Sequence, residues 1–289
     1  MTWPAPGIYQ DVPPADYFAL TEIEGKIVRS NSTLKAFDAD PALFKSGYRK
    51  APTKAMNRGS LFDCLLTSPK RFDEDFVISP HDEFRTNAAK AWRDEQTKTV
   101  VANAEMESAV AIIKAIQSDE RWLEITEGDC AFQVAMRCDF NGNPFKGLVD
   151  ILPDKDGPYG DAIVDVKRLG QTETLADVLR ECRKFCYNQQ GGLYRGMART
   201  LGEKRNRFLL FIVPQKGPIT PCVLDLGENM LATGAHAIMR MDARMSECER
   251  TGIWPGRFDG VKRIDQSDEG WDWKEVETEL EECNGKESA

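Results

Sequence analysis

No apolar run in the 289 residues approaches the ~18 residues that a membrane-crossing helix needs. The N-terminus, MTWPAPGIYQDVPPADYF, lacks the basic patch and apolar stretch of a secretory leader, so the expected location is the cytoplasm. None of the eight cysteines (64, 130, 138, 182, 186, 222, 248 and 283) forms a CxxC pair. Cys182 and Cys186 stand four apart in a helical pattern, which reads as packing. Reduced, buried thiols fit this usage best, and the spacings do not suggest four thiolates converging on an iron–sulfur cluster. Internal repeats and low-complexity segments are also missing. What is present, at 41% hydrophobic content, is enough apolar side chain for a packed core. The length suits one sizeable α/β domain with appendages, or two small domains.

Positive charge is in short supply: 38 lysines and arginines face 47 acids, for a net charge of −9. That balance looks wrong for a nucleic-acid partner until its distribution is read. Residues 265–289 hold ten acids and two lysines, so this tail carries −8 and the rest of the chain only −1. Basic residues then collect in two places. One is 45–58, with Lys45, Arg49, Lys50, Lys54 and Arg58 and no acid. The other is 180–207, with eight basic residues from Arg180 to Arg207 against Glu181 and Glu203. Either stretch suits phosphate contacts, although ordinary solvated helix faces would read the same.

The first 20 residues are proline-rich and irregular, and short polar and apolar runs alternate over 21–50. Leu34–Phe44, containing Pro41, suggests a short helix near a turn. Residues 55–67 read as a helix ended by Ser68-Pro69, Lys70–Pro80 as a loop or short strand, and 98–118 as a helix. The middle is more telling. Phe132–Phe140 reads as a strand, Asn141-Gly142-Asn143 as a turn, and Gly147–Leu152 as a second strand. A turn-rich link, Pro153–Asp161, leads to a third strand at Ala162–Lys167, rich in β-branched residues. Short links predict an antiparallel meander. A long helix over Glu173–Leu201 follows, with Thr172 as N-cap and Gly202 as C-cap, and then a buried strand at Arg207–Val213. From about residue 267 the tail is amphipathic at best, a loosely attached helix.

Side chains alternate across a strand. In AIVDVK, Ile163, Asp165 and Lys167 therefore point one way, and Ala162, Val164 and Val166 point into an apolar layer. Asp150, in the neighbouring strand, can reach the face of Asp165. Carboxylates in hydrophobic strands are costly unless paired or metal-bound. An oxygen-loving divalent ion would neutralise them, polarise a phosphodiester and acidify water. A nearby lysine can stabilise the charge that builds on phosphorus. A structural salt bridge explains these three residues equally well. On the following helix Tyr187, Gln190 and Tyr194 are spaced i, i+3 and i+7 and share one face, which core packing would also explain.

Taken together, Asp150, then Asp165-x-Lys167, then Tyr187-x-x-Gln190-x-x-x-Tyr194 resembles the RecB-like and RecE-like exonuclease branch of the PD-(D/E)xK nucleases. Gly59–Pro69 followed by Phe72 resembles a Gly-Ser…Leu-Leu…Pro…Phe stretch of the exodeoxyribonuclease VIII-like proteins, and Glu249–Phe258 resembles their Trp-Pro-Gly segment. The similarity covers about 55–260. It implies an α/β (α+β) fold with a restriction-endonuclease-like core, a central mixed sheet flanked by helices. The chain then divides into an N-terminal extension with a basic segment (1–54), a nuclease domain (55–264) and an acidic tail (265–289).

The resemblance also implies roles. Asp150, Asp165 and the Val166 carbonyl would bind Mg²⁺ or Mn²⁺, and Lys167 would be catalytic. Gln190 and Tyr194 would organise the site and touch DNA, with Tyr187 on the same face, while Arg58 and Ser60 would hold a terminal phosphate. The implied activity is exonucleolytic resection of double-stranded DNA ends, in a homo-oligomer working with a single-strand annealing protein. Two positions depart from the pattern. Asp63 stands where the family usually has histidine, and can still ligate a hard cation at a second metal site. Gln133 stands where a glutamate is usual; Glu127 would substitute in another register. Two other readings stay open: a Cas4-like iron–sulfur nuclease, and a degenerate nuclease fold that binds DNA or a protein. Gly191 and Gly192, mid-helix, suggest close approach of DNA or of another helix, or simple tolerance.

Overall fold

The computed structural model describes residues 3–48, 53–81, 83–170, 172–215 and 217–257. The acidic tail, and Arg49 and Lys50 of the first basic stretch, lie outside the described residues. The chain opens with strand β1 (Gly7–Tyr9), helix α1 (Pro14–Ala19) and a small hairpin, β2 (Glu22–Ile23) and β3 (Lys26–Ile27). Helices α2 (Asn31–Ala39), α3 (Pro41–Lys45) and α4 (Lys54–Thr67) follow. A 3₁₀ turn at Pro69–Arg71 leads through α5 (Phe72–Asp75), β4 (Phe76–Ile78), α6 (Asn87–Asp94) and β5 (Thr99–Val101) to α7 (Asn103–Gln117) and α8 (Glu120–Ile125). Next come β6 (Ala131–Phe140), β7 (Asn143–Leu152) and β8 (Ala162–Leu169). The described chain ends with α9 (Leu175–Lys184), α10 (Tyr187–Thr200), β9 (Arg207–Pro214), β10 (Cys222–Asp225) and α11 (Glu228–Thr251).

Six strands make one sheet in the order β1-β6-β7-β8-β9-β10. The β6–β7 hairpin turns at Asn141 and Gly142, both with positive φ (49° and 73°), as a turn matched to strand twist requires. β6, β7 and β8 run antiparallel, and β9 lies parallel to β8 because α9 and α10 carry the chain over one face. The sheet is therefore mixed, and it is covered on both sides. One core gathers inward residues of the strands under α2, α10 and α11, including Ile163, Leu193, Phe208 and Leu231. The other lies under α4, α7 and α8 and includes Phe62, Ile116, Val164, Val166 and Phe211. β9 is buried from Phe208 to Pro214, as a strand sandwiched between helical layers must be. α2 contributes Leu34 and Phe37 to the first core, so the core recruits residues on both sides of position 55. No described helix is long and apolar enough to cross a membrane.

The structure corrects four expectations. The helix read over 173–201 is two helices, because Cys186 adopts a left-handed conformation (φ 50°) between α9 and α10. The N-cap is Thr174 rather than Thr172, and it forms a capping box with Asp177. Gly202 does close α10, at φ 83°. Leu34–Phe44 splits at Asp40, which Pro41 holds extended and whose side chain caps α3 through Leu43 N–H (2.9 Å). The helix read from 98 begins only at Asn103, since Thr99–Val101 pairs with β4 as a parallel strand.

The 24-residue helix α11 was not anticipated. It packs tightly on α10 through glycines. A Cβ on Gly192 would sit 2.4 Å from Ala235 N, and one on Gly234 would sit 1.9 Å from the Asn188 carbonyl. The mid-helix glycines thus serve helix–helix approach. α11 is also tied to the N-terminal segment: buried Arg29 pairs with Asp242 (2.9 Å) and with Glu249. Beyond it, Trp254 of the Trp-Pro-Gly segment stacks on Phe44 (6.3 Å), a packing role.

Candidate active site

β7 and β8 share a single registered pair, Ile151 with Val164, and then part. In the gap, Asp150 Oδ2 accepts the Val166 N–H (2.8 Å), so a carboxylate takes the place of a strand partner. Asp165, the residue before Val166 in β8, is 1% exposed and pairs with Lys167 Nζ. Lys167 Nζ also donates to the Val166 carbonyl (3.3 Å). From α10, Gln190 Nε2 donates to Asp165 Oδ1 (2.6 Å). Gln190 in turn meets the hydroxyl of Tyr194, which also meets the Leu148 main chain. The Tyr187 ring lies 5.4 Å from Lys167 Nζ. The helical face carrying Tyr187, Gln190 and Tyr194 is therefore turned toward the Asp165–Lys167 pair.

Tyr194 is buried and belongs to the apolar core. Gln133 faces the cluster from β6, its Nε2 3.4 Å from Asp150 Oδ1, in a left-handed backbone conformation (φ 49°) that a non-glycine residue rarely takes. Such outliers collect at functional sites. Glu127 is exposed in the loop after α8 and lines neither cavity of the cluster.

The charges are strained in a way that ordinary packing avoids. Burial, and then the charge of Asp150, push the Asp165 carboxyl up; Lys167 opposes them. Asp63, projecting from α4, is open to solvent through two cavities but crowded elsewhere, and desolvation together with Asp150 pushes it up as well. Burial works against the Lys167 charge, yet Asp165 and Asp150 outweigh it and hold this ammonium above its ordinary value. Desolvation raises Tyr187 to about 12. A neutralising cation would relieve both Asp165 and Asp63.

Asp63 separates two cavities. One, of about 550 Å³, is lined by Arg58, Val166, Lys167 and Arg168. The other, of about 560 Å³, contains Ser60, Gln133 and Asp150. Arg58 and Ser60 thus fall on opposite sides of Asp63, and Arg58 is engaged by Glu105 (2.8 Å). The reading of the sequence missed Arg168. Its guanidinium lies 5.0 Å from the Phe62 ring, and its Nε is buried without a hydrogen-bond partner. A cation one residue after Asp-x-Lys was the available signal.

No three acidic, imidazole or thiol side chains among the described residues are already gathered at metal-ligating distance. The iron–sulfur alternative therefore finds no ligand set among them. Asp165 Oδ2, however, is fully buried and accepts no hydrogen bond of good geometry, with Lys167 as its charge partner. With Asp150 and the Val166 carbonyl it makes an all-oxygen set. That set fits a hard divalent ion that keeps several waters, and it does not suit a soft metal.

Residues 30–267 match the family described as a PDDEXK-like domain of unknown function (DUF3799). The chain belongs to this family. The family's fold is the restriction-endonuclease type, and nuclease chemistry with a divalent metal is what the superfamily supports. Among solved structures, a protein from Eubacterium rectale named “Putative exonuclease” aligns with a TM-score of 0.61 at 19% identity, over 89% of this chain and 96% of that one. At that identity the likeness shows the fold alone. Scheffersomyces stipitis Rai1, in complex with (3′-NADP)⁺ and calcium, aligns at a TM-score of 0.23 and 10% identity over 83% and 75%, and carries no argument. No curated protein matches the chain.

Proposed function

We propose that this DUF3799 protein is a Mg²⁺- or Mn²⁺-dependent exodeoxyribonuclease of the RecE and exodeoxyribonuclease VIII-like branch, acting on linear double-stranded DNA. One observation carries the reading: Asp165 is held at once by Lys167 from its own strand and by Gln190 from α10, beside Asp150 in the gap between β7 and β8. A buried ion pair kept only for stability gains nothing from a second carboxylate beside it, and the charge of Asp150 works against that of Asp165.

Asp150, Asp165 and the Val166 carbonyl would hold the ion, with Asp63 as a third carboxylate contact across the cavity. When bound, the ion supplies positive charge to a phosphate oxygen and lowers the pKa of water. The protein's own groups do the rest. Val166 N–H fixes Asp150, and Gln190, backed by Tyr194, fixes Asp165. Lys167 stays charged and would stabilise the negative charge that grows on phosphorus. Arg168 and Arg58 line the same cavity and would hold a neighbouring phosphate. Water attacks phosphorus, the bond to one sugar oxygen breaks, and no covalent intermediate forms. By the same resemblance the protein works as a homo-oligomer, with a single-strand annealing protein, in phage-type recombination.

The test compares linear and covalently closed circular duplex DNA with Mg²⁺, with Mn²⁺ and with EDTA. The proposal expects metal-dependent loss of the linear form only. Loss of both forms would make the protein an endonuclease. Loss of neither favours the second reading, a fold that binds DNA without cutting it, which the uncharged Gln133 motivates.

A further inference from the structure

The cavity that holds Lys167 and Arg168 does not end at Arg58. Arg58, Leu61 and Glu105 also form the near wall of a second cleft, of about 820 Å³. Lys54, Arg85, Arg93 and Lys98 line this cleft, with Glu83 opposing them. It is built from the exposed edge of α4, the loop before α6, α6 itself and β5. We propose that it is a second nucleic-acid-binding site, a basic trench that takes the phosphates of a single strand running to the catalytic cluster. The proposal rests on the nuclease reading for the identity of the strand.

Two features of the molecule support it. The first is the sign of the charge on either side of Asp63. Toward Arg58 the walls carry an excess of lysine and arginine. On the other side, Asp63, Asp75 and Asp150 outnumber Arg71. Outside the acidic tail the chain carries only −1, and its cations are not spread evenly: they gather on the Arg58 side of the site. A polyanion entering the site is drawn to one side and repelled from the other. The arginines there pair with carboxylates at the surface, Arg85 with Glu83 (2.7 Å), Arg93 with Asp94 (2.7 Å) and Arg58 with Glu105, while Lys98 Nζ donates to the Asp73 carbonyl. Exposed pairs of this kind are weak, so phosphates can replace the carboxylates.

The second feature is Phe84. It lines the trench among these cations, and the Arg93 guanidinium lies 5.6 Å from its ring. An aromatic face set among cations is the arrangement on which unpaired bases stack, whatever their sequence. A paired duplex has no free base face to offer, and this favours a single strand over a double one.

The experiment measures binding of a dye-labelled 12-nucleotide thymidine oligomer to the full-length chain in EDTA, so that nothing is cut, across a range of salt. The Arg85→Glu/Lys98→Glu double variant should bind about tenfold more weakly. The slope of its log affinity against log salt should be shallower by about 1.4, for two lost phosphate contacts on a single strand. Phe84→Ala should weaken binding and leave the slope alone. Lys155→Glu/Lys204→Glu, an equal charge change around a cavity at the opposite end of β8, should alter neither. Matched melting curves establish that each variant is folded. Wild-type affinity and slope in Arg85→Glu/Lys98→Glu, or an equal loss in the control pair, would overturn the trench. Because binding is read without chemistry, an inactive protein that shows the predicted pattern would sink the nuclease reading and keep the trench. An active one that lacks the pattern would do the reverse.

Discussion

Gln190 Nε2 donates to Asp165 Oδ1 across 2.6 Å, joining helix α10 to strand β8 at a carboxylate that is almost wholly buried. The bond leaves Asp165 Oδ2 to Lys167 and to whatever cation enters. Tyr194, a core residue one turn on, lies against the side chain of Gln190.

Removing this clamp should harm turnover more than folding. Loosening a group that positions a reacting side chain costs up to about 100-fold in rate. Gln190→Ala should therefore lower the rate of DNA hydrolysis by about 10- to 100-fold, with little change in melting temperature. Gln190→Glu, which sets a second carboxylate against Asp165, should be worse. Initial rates at saturating metal check both, and a Gln190→Ala variant with wild-type turnover would remove the residue from the site.

Arg168 is expected to act on substrate affinity. Arg168→Ala should raise KM by about tenfold, the loss of one charged contact of roughly 1.4 kcal/mol, and change kcat less. Arg168→Lys should restore part of it. Equal kcat and KM for wild type and Arg168→Ala would leave the residue as a support for Phe62 alone.

Two glycines on one helix should respond oppositely to alanine. At Gly192 the added carbon meets the α11 backbone at 2.4 and 2.6 Å, whereas at Gly196 its nearest neighbour is 3.8 Å away. Gly192→Ala should cost about 1–3 kcal/mol. Gly196→Ala should gain up to about 1 kcal/mol, because alanine is the better helix former. Urea unfolding decides; two changes of the same sign would contradict the packing described.

Lys146 gives stability a pH dependence. Its buried ammonium donates to the Tyr17 and Leu20 carbonyls (2.6 Å each), and desolvation lowers its pKa to about 8. An unfolded lysine titrates near ~10.4. Between these values the unfolded chain binds the proton more strongly, so the penalty is complete below pH 8 and is relieved as pH rises through the window. Wild type should therefore gain stability relative to Lys146→Met between about pH 7.5 and 9.5, read as the difference in denaturant midpoints. A falling difference would contradict the assignment.

The strands around the site were legible because their side chains alternate and because Asn141-Gly142 marks one turn. Asp165, Lys167 and the Tyr187, Gln190, Tyr194 face followed from the two periods alone. The break between α9 and α10 was not legible. Neither glycine nor proline marks it, and Cys186 takes a left-handed conformation that its residue type does not advertise. Helix α11 was hidden because its buried stripe includes Gly234 and Asp242, which look polar or helix-breaking until α10 and Arg29 are seen against them. Arg168 read as surface, since only the fold places its guanidinium over Phe62 beside Asp63.

The central claim is that Asp165 and Lys167 do chemistry rather than hold the sheet together. Its most direct test is degradation of linear duplex DNA in Mg²⁺ by wild type, Asp165→Ala and Lys167→Ala, each shown to be folded. The account predicts degradation by wild type and a loss of at least about 100-fold in each variant, the scale of removing one group that stabilises transition-state charge. Equal degradation by all three proteins would contradict it.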